Sequence, residues 1–233
     1  VQDKTIIVTG AASGFGRLIC QKAISAGAKV VCADINEGLL NTVVQELIGA
    51  GGRAIGQHTD VSDLSQMRGL ATKAVEHFGR IDVMVNNAGV MPLAFYADHA
   101  DASAKWSQCI DINIKGVLHG IISVYDQMMA QAEGHVINIS SIYGNFPVAG
   151  AGVYGASKAA VNFLSESLRV EARGKIKVTT VKPTGVPATG LSAGIVNPEA
   201  VIGIVGQNQP EFQSTMQSIA DGQVDPKVVN QDS

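Results

Sequence analysis

Short runs rich in Val and Ile recur along this chain, and each is followed by a stretch with helical periodicity. Strand-like runs fall at 4–9, 29–33, 53–58, 81–85, 135–139 and 175–181. Helical patterns lie between them at 14–26, 37–50, 64–78, 104–132 and 153–172. Residues 37–50 place Leu39, Leu40, Val43, Val44 and Leu47 on one face. The run at 81–85 reads as a strand buried on both faces. Strict alternation of this kind predicts an α/β protein with a parallel sheet covered on both sides. Right-handed crossovers then place the first strand centrally.

Composition narrows the function classes. Of the 233 residues, 46% are hydrophobic and 16% charged, which excludes a disordered chain. The net charge of −3 argues against general nucleic-acid binding. No apolar run reaches the length of a membrane-crossing helix. Val1-Gln2-Asp3-Lys4 lacks the layout of a signal peptide. Cys20, Cys32 and Cys109 are too scattered for a disulfide framework or a zinc site, and a reducing cytoplasm is expected. His58, His77, His99, His119 and His135 show no ligand spacing, so no metal site is expected. Up to about residue 183 neither a repeat nor a linker interrupts the pattern, and one domain over 1–233 is the simpler reading. Beyond it, Pro, Gly, Ser and Gln are dense. A mobile substrate loop or lid is expected at about 184–218, and a seventh strand is not evident.

The first strand runs into Thr9-Gly10-Ala11-Ala12-Ser13-Gly14-Phe15-Gly16 and then a helix. Glycines there let backbone approach a pyrophosphate, and the helix start offers free N–H groups and the positive end of its dipole. Asp34 ends the second strand 18 residues after Gly16, where an acid binds adenosine ribose hydroxyls and repels a 2′-phosphate. Neither Ile35 nor Asn36 is basic, which favours NAD over NADP, while Arg17 beside the turn is the opposing feature.

Tyr154-Gly155-Ala156-Ser157-Lys158 opens a helix, and Tyr and Lys four apart share a face. An ammonium near a phenol is expected to pull the phenol pKa down and equip it to move a proton. Ser140-Ser141 and Asn86-Asn87-Ala88-Gly89 follow strands. Their ends all meet one edge of a parallel sheet, where ligands of such folds bind.

Taken in order, TGxxxGxG, NNAG, the paired serines and YxxxK resemble the short-chain dehydrogenases/reductases, in their compact single-domain branch, over residues 4–183. The longer epimerase-like branch fits less well. The resemblance implies a Rossmann-type doubly wound parallel sheet of order 3-2-1-4-5-6. It implies hydride transfer between NAD(H) and a secondary alcohol or ketone. Tyr154 then resembles the acid–base, and Lys158 the group that tunes it and holds the nicotinamide ribose. Ser141 resembles the hydroxyl that polarises the substrate oxygen, and Asn113 the helix-kink residue of a proton relay; Ser140 supports the strand end. Cofactor contacts carried over are Gly10, Ser13, Gly14, Phe15, Gly16, Asp34, Ile35, Asp60, Val61, Asn87, Ala88 and Gly89. Pro183, Thr184, Gly185, Val186 and Thr189 complete them.

The chain departs from the family where Pro183-Thr184-Gly185 replaces Pro-Gly, and where a last helix and seventh strand are not evident. Met91, Leu93, Phe95, Ile142, Phe146, Pro147 and Val148 suggest an apolar or mixed pocket. Expected partners are a small-molecule substrate and a homo-oligomer, dimer or tetramer, with no nucleic acid and no membrane. The alternatives are an NADP-dependent 3-oxoacyl-type reductase and a non-catalytic cofactor-binding scaffold.

Overall fold

The computed structural model describes residues 1–184 and 190–207. Six strands pair in parallel in the order β3-β2-β1-β4-β5-β6: β1 (Thr5–Thr9), β2 (Lys29–Asp34), β3 (Arg53–His58), β4 (Val83–Asn86), β5 (Gly134–Ile139) and β6 (Ile176–Val181). Alternate residues of the strands serve opposite layers. Ile7, Val31, Met84 and Val136 pack with Met67 and Leu70 of α3 (Leu64–Phe78), Val124 and Met128 of α5 (Gly116–Gln131), and Leu168 of α6 (Gly152–Glu171). Ile6, Val8, Val30 and Cys32 pack with Cys20 of α1 (Gly14–Ser25) and with Leu40, Val43 and Leu47 of α2 (Glu37–Gly49). Among the described residues no helix is long and apolar enough to cross a membrane.

Local chemistry fixes the ends that matter. Asn36 caps α2 by accepting from Leu39 N, and Asp63 caps α3 by accepting from Ser65 N and Gln66 N. Gly79 closes α3 at φ +83°, a left-handed turn that suits glycine.

Three sequence expectations shift. Leu39 is half exposed rather than part of the buried face of α2, because Leu40 and Val43 already fill the groove against the sheet. The strand expected from residue 81 begins at Val83. Asp82 interrupts the apolar run: buried at the foot of β4, it accepts from Thr5 N at 2.8 Å and pairs with Lys4 and Arg80. The helix expected over 104–132 starts earlier and is broken. It divides into α4 (His99–Ile110), a π-helical turn at Asp111–Lys115, and α5. Of the segment expected as a lid, Gly190–Gly194 forms a 3₁₀ turn and Ala200–Gln207 forms α7. Residues 185–189 and everything after 207, including the place of a seventh strand, lie outside the described residues.

Candidate active site

Parallel strands bring all their carboxyl ends to one edge, and the singled-out residues gather there. At the end of β1, Gly10 stands at φ +66° and Gly14 at φ +50°. A Cβ on Gly10 would lie 2.9 Å from Asn87 Nδ2, and one on Gly16 would strike the Gly10 carbonyl. The loop after β4 grips the turn from the other side. Asn87 Nδ2 donates to Thr9 O at 2.8 Å, while Thr9 Oγ1 accepts from Asn87 N and Ala88 N at 3.0 and 3.1 Å.

Ser13 precedes α1 in extended conformation, its side chain makes no capping bond, and the first turn, which includes Phe15, holds no acid. The first N–H groups of a 12-residue helix thus stay open to an anion. Close-packed glycines and an uncapped helix start fit a dinucleotide pyrophosphate. Asp34 is fixed beside them: Oδ2 accepts from Ala12 N and Oδ1 from Asn36 N, each at 2.9 Å. Ile35 projects to solvent next to it. Arg17, the possible 2′-phosphate ligand, is instead paired with Glu46 of α2 at 2.7 Å.

Beside Asp34, at the end of the adjacent β3, Asp60 holds a tight turn, with Oδ1 accepting from Ser62 N and Ser62 Oγ. Val61 is buried: its side chain joins the core, where a Cβ on Gly116 would touch it. Its carbonyl meets His119 Nδ1 at 2.9 Å.

The other end of the cleft is built on β5, α6 and the π turn. Ser141, Tyr154 and Lys158 are all buried, and the Ser141 hydroxyl lies near enough to the Tyr154 phenol to favour its charged form. Ser141 Oγ accepts from Tyr143 N. Lys158 Nζ donates to Ile139 O at 2.8 Å and lies 5.8 Å from the Tyr154 ring centre. The strand end is stitched to α6 by Ser140 Oγ, 2.8 Å from Asn162 Oδ1 and 3.0 Å from Lys158 O.

Asn113, wholly buried in the π turn, clamps the loop after β4. Its Oδ1 accepts from Val90 N and its Nδ2 donates to Val90 O, both at 2.9 Å, and Nδ2 also reaches Ser157 Oγ at 3.0 Å. A Cβ on Gly89 would sit 3.2 Å from Asn113 Oδ1 and 3.5 Å from Lys158 Nζ. Asn113, Gly89 and Lys158 therefore form one packed unit.

The electrostatics differ from the sequence expectation. Burial pushes the Tyr154 phenol up to about 12, outweighing the nearby Ser141 hydroxyl. Burial also pulls Lys158 down to about 8. Desolvation opposes charge on both groups, and burial sets the direction of the phenol shift.

Around Tyr154 lies a third apolar cluster. Leu93 and Val148 are buried in it, Met91, Phe95 and Ile142 pack on it partly exposed, and Phe146 and Pro147 face solvent. A cavity of about 230 Å³ opens beside Gly89, between Val90, Lys105 and Gln108 of α4, and Leu191 and Gly194. Pro183 accepts from Ile142 N and Thr184 comes next, while Gly185, Val186 and Thr189 lie outside the described residues.

Sequence reasoning missed the polar ladder beneath the site. Asn86 Nδ2 donates to Asn138 Oδ1 and Asn138 Nδ2 to Ser165 Oγ, each at 2.8 Å. An asparagine in the middle of an otherwise apolar strand was the available signal.

The family model for short chain dehydrogenases matches residues 4–200. The chain belongs to this family. Among relatives of known sequence, an uncharacterized oxidoreductase of Listeria monocytogenes is 38% identical over 189 residues, 80% of this chain and 75% of that one. A cyclopentanol dehydrogenase of a Comamonas species is 34% identical over 208 residues, 88% of this chain and 82% of that one. Among solved structures, a short chain dehydrogenase/reductase from Burkholderia phymatum in complex with NAD is 33% identical. It superposes with a TM-score of 0.79 over 94% of this chain and 86% of that one. A metagenomic short-chain oxidoreductase in complex with NADP is 35% identical, with a TM-score of 0.74 over 80% of this chain and 84% of that one. This short chain dehydrogenase is accordingly an oxidoreductase with the nicotinamide-binding fold.

Proposed function

We propose that the protein interconverts a secondary alcohol and a ketone using NAD(H). The observation that carries this reading is the joint burial of Ser141, Tyr154 and Lys158, with Lys158 one turn further along α6 and the glycine turn on the same sheet edge. When bound, a nicotinamide cofactor gives or takes the hydride. Everything else falls to the chain. Gly10, Ser13, Gly14, Phe15 and Gly16 cradle the pyrophosphate, and Asp34 accepts from the adenosine ribose with Ile35, Asp60 and Val61 around the base. Asn87, Ala88 and Gly89 line the path to the second ribose, which Lys158 holds; Pro183, Thr184, Gly185, Val186 and Thr189 close it.

In ketone reduction, Ser141 donates to the substrate oxygen as negative charge develops there. Tyr154 then delivers its proton; a phenol with its pKa pushed up to about 12 is charged with that proton throughout the neutral range. Asn113 keeps Val90 and Gly89 against Lys158. In alcohol oxidation the proton travels back to Tyr154.

NAD is favoured over NADP because Asp34 stands where a 2′-phosphate would meet a carboxylate, and because Arg17 is already paired with Glu46. The NAD in the Burkholderia phymatum structure agrees with this, the NADP in the metagenomic one does not, and Asp34 favours the first. The same carboxylate disfavours an NADP-dependent 3-oxoacyl-type reductase. The complete Asn113, Ser141, Tyr154, Lys158 set disfavours an inert scaffold. Met91, Phe95 and Ile142 suit an apolar substrate, in keeping with the cyclopentanol dehydrogenase relative. We further infer one catalytic domain, a cytoplasmic location and assembly as a homo-oligomer.

The test is a panel of cyclic and open-chain secondary alcohols and ketones, run with NAD(H) and NADP(H) and read by the absorbance of reduced nicotinamide. Turnover of at least one pair with NAD(H) is expected. Binding of NAD without turnover of any pair would overturn the reaction.

A further inference from the structure

Asn197 stands at the centre of the polar contacts that hold the segment Gly190–Gln207. Asn197 employs all its polar groups: its N–H donates to Leu93 O at 3.0 Å, and its carbonyl accepts from Ala200 N at 3.1 Å. Its Oδ1 accepts from Glu199 N and its Nδ2 donates to Asp98 Oδ2, each at 2.9 Å. Val196 N donates to the same Leu93 carbonyl at 3.0 Å. Asp98 Oδ2 also accepts from Phe95 N at 2.8 Å, so a single carboxylate oxygen ties the loop after β4 to the segment 99 residues later.

Small residues seat α7 against the loop before α6. A Cβ on Gly150 would come within 2.5 Å of Ala200 Cβ, and one on Gly203 would strike Ala149 O. Ala200 is wholly buried. Residues 149–151 lead directly into α6 and Tyr154. Leu191 and Ile195, upstream of Asn197, pack with Met91 and Phe95 on the cluster that contains Tyr154. The Asp98–Asn197 bond thus joins two apolar walls that flank Tyr154.

We propose that Asp98 and Asn197 are positioning residues for the substrate. They hold Leu191 and Ile195 in register with Met91 and Phe95, and so set the KM for the alcohol or ketone without touching it. This rests on the reading of Tyr154 as the reacting phenol. A partner that is charged and shared with the Phe95 amide makes the bond stronger than a neutral one.

N197D replaces the donor with a carboxylate facing Asp98. D98A instead removes the one oxygen that accepts from both Asn197 Nδ2 and Phe95 N. Kinetics are measured with cyclopentanol, or with the best alcohol of the substrate panel. N197D is expected to raise KM by about tenfold or more, with kcat and the Kd for NAD changed by less than about twofold. Hydrogen exchange at the Val196 amide of the cofactor-free protein is expected to quicken.

An unchanged KM in N197D, or a rise in KM that comes with an equal loss of NAD affinity, overturns the proposal. D98A removes the same acceptor and carries the same expectation, so a folding failure of N197D leaves the test standing. Tyr154→Phe separates the two readings. Full turnover there defeats the role of Tyr154, whereas Val196 exchange reports on the Asp98–Asn197 bond irrespective of turnover.

Discussion

Lys158 Nζ donates to the carbonyl of Ile139 at 2.8 Å, which fastens the first turns of α6 to the end of β5. The bond lies in a fully buried setting, where an ammonium is costly. Burial accordingly pulls Lys158 from 10.5 down to about 8. Between those values the unfolded chain binds the extra proton, so stability rises with pH across that window and the cost is greatest below it. Lys158→Met removes this titration. Wild type should gain roughly 2 kcal/mol relative to Lys158→Met between about pH 7 and pH 10. Urea unfolding at both pH values measures it, and a gap that does not change with pH would return Lys158 to its ordinary range.

Tyr154 bears the complementary prediction. Because burial holds its phenol near 12, ultraviolet titration of the free protein should show no phenolate from Tyr154 at neutral or mildly alkaline pH. Tyr154→Phe should lower turnover by about 10²–10⁴-fold while NAD binding changes little, since the glycine turn is at the other end of the cleft. Alcohol oxidation in wild type should climb with rising pH as the phenol loses its proton, and Tyr154→Phe should lose that climb. A variant that keeps more than about a tenth of wild-type turnover, with hydride transfer limiting, would remove Tyr154 from the proton path.

At the opposite edge of the sheet, Asp82 links β1 to β4 through Thr5 N, Lys4 and Arg80. Burial works to raise its pKa, but those donors outweigh it and leave it below the usual carboxylate value. A depressed carboxylate stabilises the fold above its unfolded pKa, and that contribution is lost as pH falls through the folded one. Asp82→Asn should therefore cost about 1–3 kcal/mol at neutral pH and progressively less in acid. Its kcat should match wild type, because Asp82 lies at the foot of the strands and the reacting groups at their heads. A loss of stability independent of pH would refute the charge as the cause.

Much of the molecule was legible from its residues because the deciding signals are local. Val- and Ile-rich runs between helical periods specify a parallel sheet, and parallel register brings every strand's carboxyl end to one edge whatever the details. Glycine at 10 and 16 is legible because no Cβ fits there. What failed to show was set by contacts distant in sequence. The π turn at Asp111–Lys115 lies within a continuous helical period, and Val90, some 23 residues upstream, together with Ser157, 44 residues downstream, explains the buried Asn113. The Asp98–Asn197 bond spans 99 residues and has no periodic trace. The pKa of Tyr154 went the other way because residue spacing reveals the neighbouring ammonium but not the depth of burial, and burial dominates here.

Asp34 carries the prediction about cofactor choice. Two backbone N–H groups, from Ala12 and Asn36, fix its carboxylate at the end of β2. Each oxygen retains a lone pair for a ribose hydroxyl. A 2′-phosphate at the same place would meet a like charge that cannot swing away, and like-charge juxtaposition costs several kcal/mol. Arg17 gives no relief while it is paired with Glu46. Wild type should thus favour NAD(H) over NADP(H) by about tenfold or more in kcat/KM. Asp34→Ser together with Ile35→Arg removes the repulsion and adds a guanidinium at an exposed position, which should shift preference toward NADP(H). Glu46→Gln should free Arg17 and narrow the preference in the same direction, though less. Steady-state kinetics with both cofactors distinguish these outcomes, and a wild-type preference for NADP(H) would show that Asp34 does not govern the choice.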